Sequence, residues 1–312
     1  MQKNGLFHVL EAQQFDFNFL REFWPLANKM RSLVASRKSD VLKNRIMLTF
    51  FDDFKPRTEG SFKAAMQNLG GSVISENRES FAYSPDDLEH LIKTLCAHGP
   101  DVIVLRLDQE GSMAKVVQFS DVPIINAGEG KLGQHPTLAL GDLLTIKERF
   151  GNITGQKIVI VGTLEERAVR SLVYLLGRYR GMEIHFVFPD SSPTKEALGM
   201  EIYMRRHDVR FHRICDLRSV AELADVIYIT NIQQPNGSPW DYNNHDLGYF
   251  KMDKDILRKM KKRAIIMHPL PRGEELAPEI DCDPRAVYLT CQPLNAMIAR
   301  MALLVMALAP RA

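Results

Sequence analysis

Short apolar runs of strand length alternate with helix-patterned segments along most of the chain, and no other feature narrows the fold as far. In the first series, residues 45–51, 72–75, 102–105 and 123–126 read as strands. Helical segments separate them: one ends at Leu69 before Gly70-Gly71, and the others span 86–96, 112–119 and, after the last strand, 136–150. A second series starts after Gly151-Asn152, with strands at 157–161, 183–188, 226–229 and 264–267 and helices at 167–179, 196–206 and 254–260. Alternation on this scale predicts an α/β protein of two doubly wound domains, each a parallel β-sheet flanked by helices. Ligands in such sheets bind outside the carboxyl ends of the strands. The expected domains are 1–150, with a helix over 17–34 ahead of its first strand and a C-terminal helix over 295–309 completing it, and 151–294.

The length agrees, because 312 residues at roughly 100–200 per domain make two domains with cores of their own. Hydrophobic residues at 45% and charged residues at 25% exclude a disordered or fibrous chain. Lys+Arg 40 against Asp+Glu 38 leaves a net charge of +2, without the basic excess of a dedicated nucleic-acid binder. Cys96, Cys215, Cys282 and Cys291 lie far apart with no Cys-x-x-Cys pair, so neither a zinc ribbon nor a disulfide framework is expected. The first ten residues carry no apolar core of signal-peptide length, and a cytoplasmic location is the expectation. The apolar stretch 296–310 contains Arg300 and falls short of the ~20 residues that span a bilayer, so no membrane segment is expected.

Five constellations could carry chemistry. Lys55-Pro56-Arg57-Thr58 lies between a strand and a helix, where free helix N–H groups and two cations could hold an anion; an ordinary capped helix start is the simpler alternative. Arg106 ends a buried strand, facing either a ligand or solvent. His135, before the helix at Pro136, could polarise a carbonyl oxygen or cap that helix. The turn from Gly162 to Arg167 lacks the full Gly-x-Gly-x-x-Gly, which argues against a dinucleotide, while Arg167 is a candidate carboxylate clamp. In His268-Pro269-Leu270-Pro271-Arg272 two prolines stiffen the backbone, so carbonyls there can be presented rigidly.

Taken in order, Arg57-Thr58, Ser61-Phe62, Met66, Leu69-Gly70-Gly71, Arg106, the run 135–146, Arg167 and His268–Arg272 followed by Glu275, Asp281 and Tyr288 resemble the aspartate/ornithine carbamoyltransferase family. Pro269 rather than Cys resembles the aspartate branch. The resemblance implies a carbamoyl phosphate domain facing an amino-acid domain, a homotrimer with active sites shared between subunits, small-molecule substrates, and neither metal nor organic cofactor. It assigns phosphate binding to Arg57, Thr58 and Arg106, with Lys55 in the same loop. His135 and Arg106 would polarise the carbamoyl oxygen, the Leu270 carbonyl would accept from the carbamoyl amine, and Arg167 would grip the second substrate's α-carboxylate. Asn231, Gln233 and Pro269 complete the amino-acid side.

This chain departs from the family at several of these positions. The phosphate loop reads Lys55-Pro56-Arg57-Thr58-Glu59 where the family has Ser-Thr-Arg-Thr-Arg, and Leu138 replaces a Gln. Residues 78–84, which correspond to a loop lent to the neighbouring subunit, contain no Lys. Asn231-Ile232-Gln233 stands where the aspartate branch carries Arg-x-Gln, and Thr163 and Arg170 replace an Asp and a His. The expectation is a divergent transferase that moves a carbamoyl or related acyl group from an anionic donor to an amino-acid-like amine other than aspartate. The alternative is a silent paralogue that assembles with a partner chain or senses a small anion.

Overall fold

The computed structural model describes residues 2–3, 6–36, 39–53, 55–79, 87–188, 195–231 and 248–308. A short antiparallel pair, β1 (Gln2–Lys3) and β2 (Leu6–Phe7), precedes α1 (Phe17–Ser36). There follow β3 (Ile46–Phe51), α2 (Pro56–Asn68), β4 (Ser72–Asn77), α3 (Leu88–Ala97), β5 (Val102–Leu107), α4 (Ser112–Val116), β6 (Ile124–Glu129) and α5 (Pro136–Phe150). Strands β3 to β6 form a parallel four-stranded sheet in the order β4-β3-β5-β6. Every residue of β5 is buried, as expected of a central strand covered on both faces. On α3, Leu88, Leu91, Ile92 and Leu95 recur at helical spacing and pack on Leu48, Phe50, Ile103 and Leu105. The Asp87 side chain caps that helix by accepting from the His90 N–H.

The second series comprises β7 (Lys157–Val161), α6 (Arg167–Leu176), β8 (Glu183–Val187), α7 (Lys195–Arg206), β9 (Arg210–Ile214), β10 (Val226–Ile229), α8 (Lys254–Lys259) and β11 (Ile265–Met267), and α9 (Cys291–Leu308) ends the chain. Its parallel five-stranded sheet has the order β11-β10-β7-β8-β9. The chain divides into two compact units, 1–141 with 295–312 and 142–294. Both divisions fall inside helices, α5 and α9.

Strand β9 has no counterpart among the strands read from the sequence. Its segment Arg-Phe-His-Arg-Ile is an edge strand with charged, exposed positions, a pattern that protects an edge and hides the apolar alternation. Helix α4 ends at Val116 rather than 119, and α6 at Leu176 rather than 179, where i→i+3 backbone bonds tighten the chain after Gly177. Helix α9 begins four residues before the expected 295 and reaches 18 residues, long and apolar enough to cross a membrane by length and composition. It reads as a core helix, because Ile298, Ala299, Met301, Ala302, Leu303 and Leu304 are fully buried. Arg300, itself buried, lies over the Phe62 ring at 4.7 Å.

Candidate functional site

In the first unit the strand order reverses between β3 and β5, so the crevice at their carboxyl ends is where a ligand is expected. Phe51 and Arg106 stand opposite each other in register there, and Asp52 ties the two strand ends together. Its N–H donates to the Arg106 carbonyl at 2.9 Å, and its Oδ2 accepts from the Asp108 N–H at 3.0 Å. Arg106 does not face solvent; it is 3% exposed. Its Nε donates to Asp53 Oδ1 at 2.5 Å, one terminal nitrogen to Asp53 Oδ2 at 3.3 Å, and the other to the Ala127 carbonyl at 3.1 Å. The guanidinium is thus fixed in plane, with N–H groups to spare for a ligand.

Lys55 adds a second cation 3.0 Å from Asp53. Burial alone would raise the Asp53 carboxyl, but the hydrogen bonds and charges of Arg106 and Lys55 hold it below its ordinary value. Lys55 is also the N-cap of α2 and provides no side-chain cap, with Pro56 at the first helical position. Exposed Arg57 and half-buried Thr58 follow in the first turn, where backbone N–H groups and the helix dipole favour an anion. Glu59 brings less negative charge to this loop than its sequence position implies. Its carboxylate pairs with Lys63 at 2.8 Å and accepts from Thr49 at 3.1 Å. His135 is buried, with Nδ1 3.5 Å from the buried Thr137 hydroxyl, and Leu138 lies half-buried one turn into α5.

The second unit repeats the arrangement with different chemistry. Its order reverses between β7 and β10, and three loops leave the carboxyl ends there: 162–166, Thr230-Asn231 and the segment starting at His268. Gly162 makes the first turn possible. Its φ is +125°, and a Cβ would lie 2.1 Å from Thr230 Oγ1, so only glycine fits. Glu166 caps α6 by position but not by side chain. Its carboxyl lies beside the Thr230 hydroxyl, whose single proton also reaches the Val161 carbonyl at 3.3 Å. Glu166 Oε2 is out of solvent and has no hydrogen-bond partner among the described residues. Burial pushes this carboxyl up to about 7, against the lowering effect of Thr230 and Arg167 and with some help from Glu275.

Around His268 the ring tautomer follows from the bonds. Its Nδ1 accepts from the Leu270 N–H at 2.8 Å, so the ring proton is on Nε2 and is donated to Glu275 Oε1 at 2.9 Å. Glu275 Oε1 also accepts from the Gly273 N–H at 2.6 Å. The Asn231 amide, with its nitrogen turned to Glu275, donates to both carboxylate oxygens at 3.0 and 3.1 Å. Burial would raise the Glu275 carboxyl, but the bonds from His268 and Gly273 bring it below its usual value. Leu270 has φ +52°, a left-handed conformation rare in branched residues and concentrated at ligand clamps. Arg167 starts α6, and Pro269 is half-buried beside His268. Gln233, and residues 80–84 of the loop expected to serve a neighbouring subunit, lie outside the described residues.

Several members were not legible from the sequence. Asp53 was part of an unassigned Asp-Asp pair, although an acidic residue just after a strand at the order reversal is a usable signal. Glu166 lies in the Gly162–Arg167 turn, where nothing in the residue pattern sets it apart from Glu165. A buried chain of Tyr228, Asp142, Gln292 and His268, joined by bonds of 2.9, 2.7 and 3.0 Å, supports the His268 backbone from beneath. Apart from these sites, Glu183, His185 and His212 place potential ligand atoms within 4.8 Å of one another. The two imidazoles are stacked with planes 23° apart, which keeps their in-plane lone pairs from converging on one ion, and Arg210 and Lys157 already approach the Glu183 carboxylate.

Residues 8–148 match the carbamoyl-P binding domain, and residues 154–307 the Asp/Orn binding domain, of aspartate/ornithine carbamoyltransferases. The chain belongs to that family. A chloroplastic aspartate carbamoyltransferase of Oryza sativa subsp. japonica is 40% identical over 97% of this chain and 85% of its own length. The aspartate carbamoyltransferase catalytic subunit of Thermoplasma acidophilum is 36% identical over 95% of this chain and 96% of its own. Among solved structures, an aspartate transcarbamoylase from Trypanosoma cruzi in complex with carbamoyl phosphate and aspartate matches with a TM-score of 0.87 at 32% identity, covering 97% of this chain and 95% of that one. In this carbamoyltransferase-family protein, then, the cationic crevice falls in the carbamoyl-P domain and the carboxyl-rich loops in the Asp/Orn domain.

Proposed function

We propose that the protein transfers a carbamoyl group, or a closely related acyl group, from an anionic donor of the carbamoyl phosphate kind to the amine of an amino acid. The observation that carries this reading is Arg106, buried at the order reversal of the first sheet and held in plane by Asp53 and Ala127, with Lys55 alongside and Arg57 and Thr58 in the first turn of α2. On this reading Lys55, Arg57, Thr58 and Arg106 bind the donor's phosphate, and Arg106 and His135 polarise its carbonyl. Leu270 presents its carbonyl to the donor's amine, Arg167 holds the acceptor's α-carboxylate, and Asn231, Gln233 and Pro269 line the acceptor. The names of the relatives place carbamoyl phosphate and aspartate first among the substrates to try, and no observation favours a silent assembly partner.

The chemistry needs no nucleophilic side chain and no cofactor. The acceptor's neutral nitrogen attacks the carbonyl carbon and forms the C–N bond. The C–O bond to phosphate breaks with its electron pair leaving on phosphate, which can take the proton the nitrogen sheds. The protein contributes positioning and charge stabilisation as the carbonyl oxygen becomes negative. A homotrimer working in the cytoplasm belongs to the same proposal. The test follows phosphate release and carbamoylated product from carbamoyl phosphate with an amino-acid panel. Wild type should turn over, and Arg106→Ala should lose at least ~100-fold in kcat/KM. Turnover left within a few-fold of wild type by Arg106→Ala rules the reading out.

A further inference from the structure

We infer that the acceptor site of the second unit is built for an amino acid whose side chain ends in a hydrogen-bond donor, a cation by preference, and that Glu166 is the residue that selects it. The inference rests on the transferase reading above and names its substrate class. The Thr230-Asn231 loop at the end of β10 links two carboxyl groups, with Glu166 beside the Thr230 hydroxyl and Glu275 bonded by the Asn231 amide. Glu275 has its donors, from His268, Gly273 and Asn231. Glu166 does not: its Oε2 is out of solvent and without a partner among the described residues, and its other contact, Thr230, has one proton to share with Val161. A buried carboxyl oxygen without a donor is unfavourable until something supplies one.

An acceptor carrying its own carboxylate cannot supply it and would meet like charge from Glu275. Asn231, where the aspartate branch has Arg, spends its amide on Glu275 and brings no charge of its own to a second carboxylate. Among the described residues Arg167 is the cation acting on Glu166, and the transferase reading assigns it to the α-carboxylate. A side-chain ammonium or amide would complete the Glu166 bond and balance the two carboxyl groups, with the charge-assisted bond the stronger.

The experiment uses the full chain with saturating carbamoyl phosphate and compares aspartate, asparagine, ornithine and lysine by kcat/KM, in wild type and Glu166→Gln. The expected result is at least a tenfold preference for a donor-bearing side chain over aspartate, which Glu166→Gln shrinks by about tenfold while the circular dichroism spectrum and melting temperature show the variant folded. A preference for aspartate, or insensitivity of the ratio to Glu166→Gln, overturns the inference and leaves carbamoyl transfer standing. Should no amino acid be turned over, the transferase reading fails by itself. Calorimetric titration of the same four amino acids in phosphate buffer then decides the inference. Tighter binding of ornithine or lysine than aspartate, lost in Glu166→Gln, upholds it; the reverse order, an unaffected order, or no binding at all overturns it.

Discussion

The two units place their functional groups by the same rule and fill the place with opposite charge. At the order reversal of the first sheet stand Arg106 and Lys55, both paired with the Asp53 carboxylate. At the order reversal of the second stand Glu166 and Glu275, one of them short of a donor. The first site carries its own counter-ion, which fixes Arg106 and keeps the crevice from holding two uncompensated cations. In the second, the balance is left to whatever binds. Parallel-sheet topology therefore decides where a ligand goes, and the few loop residues beyond each strand decide what charge it carries.

The sharpest way to break this contrast is at Asp53. Asp53→Asn should cost about 2–4 kcal/mol, because Arg106 would be left buried without its counter-charge, and chemical denaturation reads the loss directly. Its pH dependence has a definite sign. Asp53 is held below its ordinary value in the folded protein, so its contribution is fully present above its unfolded pKa and is lost as pH falls through the folded one. Wild type should lose stability to acid by this route, and the Asn variant should not.

The next largest effect tests the second site's framework. Gly162→Ala puts a methyl group within 2.1 Å of Thr230 Oγ1 at a φ of +125°, so about 2–3 kcal/mol should be lost. With Thr230 displaced, acceptor KM should rise more than donor KM in the transfer assay. A smaller effect sharpens the comparison, because the Glu166 carboxyl shifts in the direction opposite to Asp53. Its folded pKa is raised to about 7, so the folded state binds the extra proton between the ordinary carboxylate range and neutrality. Stability should therefore fall as pH rises from about 4.5 to 7 and then level off, by ~1–3 kcal/mol. The groups acting on Glu166 are Thr230, Arg167 and Glu275, and Tyr228 lies within reach of its charge. Glu166→Gln should flatten that limb of the pH profile in urea unfolding.

Much of the fold was legible because period and burial agree. The run Val-Ile-Val-Leu of β5 and the Leu88, Leu91, Ile92, Leu95 stripe of α3 declare themselves by spacing. β9 did not, since an edge strand spends its alternate positions on charge. The site was half legible. Arg106 and His268 stand out as polar residues at the ends of apolar runs, His135 and Arg167 as polar residues at helix starts, and Lys55, Arg57 and Thr58 as a basic helix start. Glu275 and Asp142 belong to the motifs of the resemblance and Asp53 follows a strand, but that these carboxylates hold His268, Gln292 and Arg106 shows only in what they touch.

The sequence by itself determined the two alternating series, the order of the elements, the near-neutral charge and the family motifs, because each of these is a property of residue type and spacing along one chain. Only the tertiary structure decided which charges meet. Whether Arg106 faces solvent or Asp53, and whether Glu166 caps a helix or keeps one carboxyl oxygen out of solvent beside Thr230, depend on contacts between segments far apart in sequence. The physical reason is the range of the forces. Hydrophobic periodicity is written locally, whereas desolvation and ion pairing act on the final packing, where a few ångströms decide whether a carboxyl group is a counter-ion or a binding site.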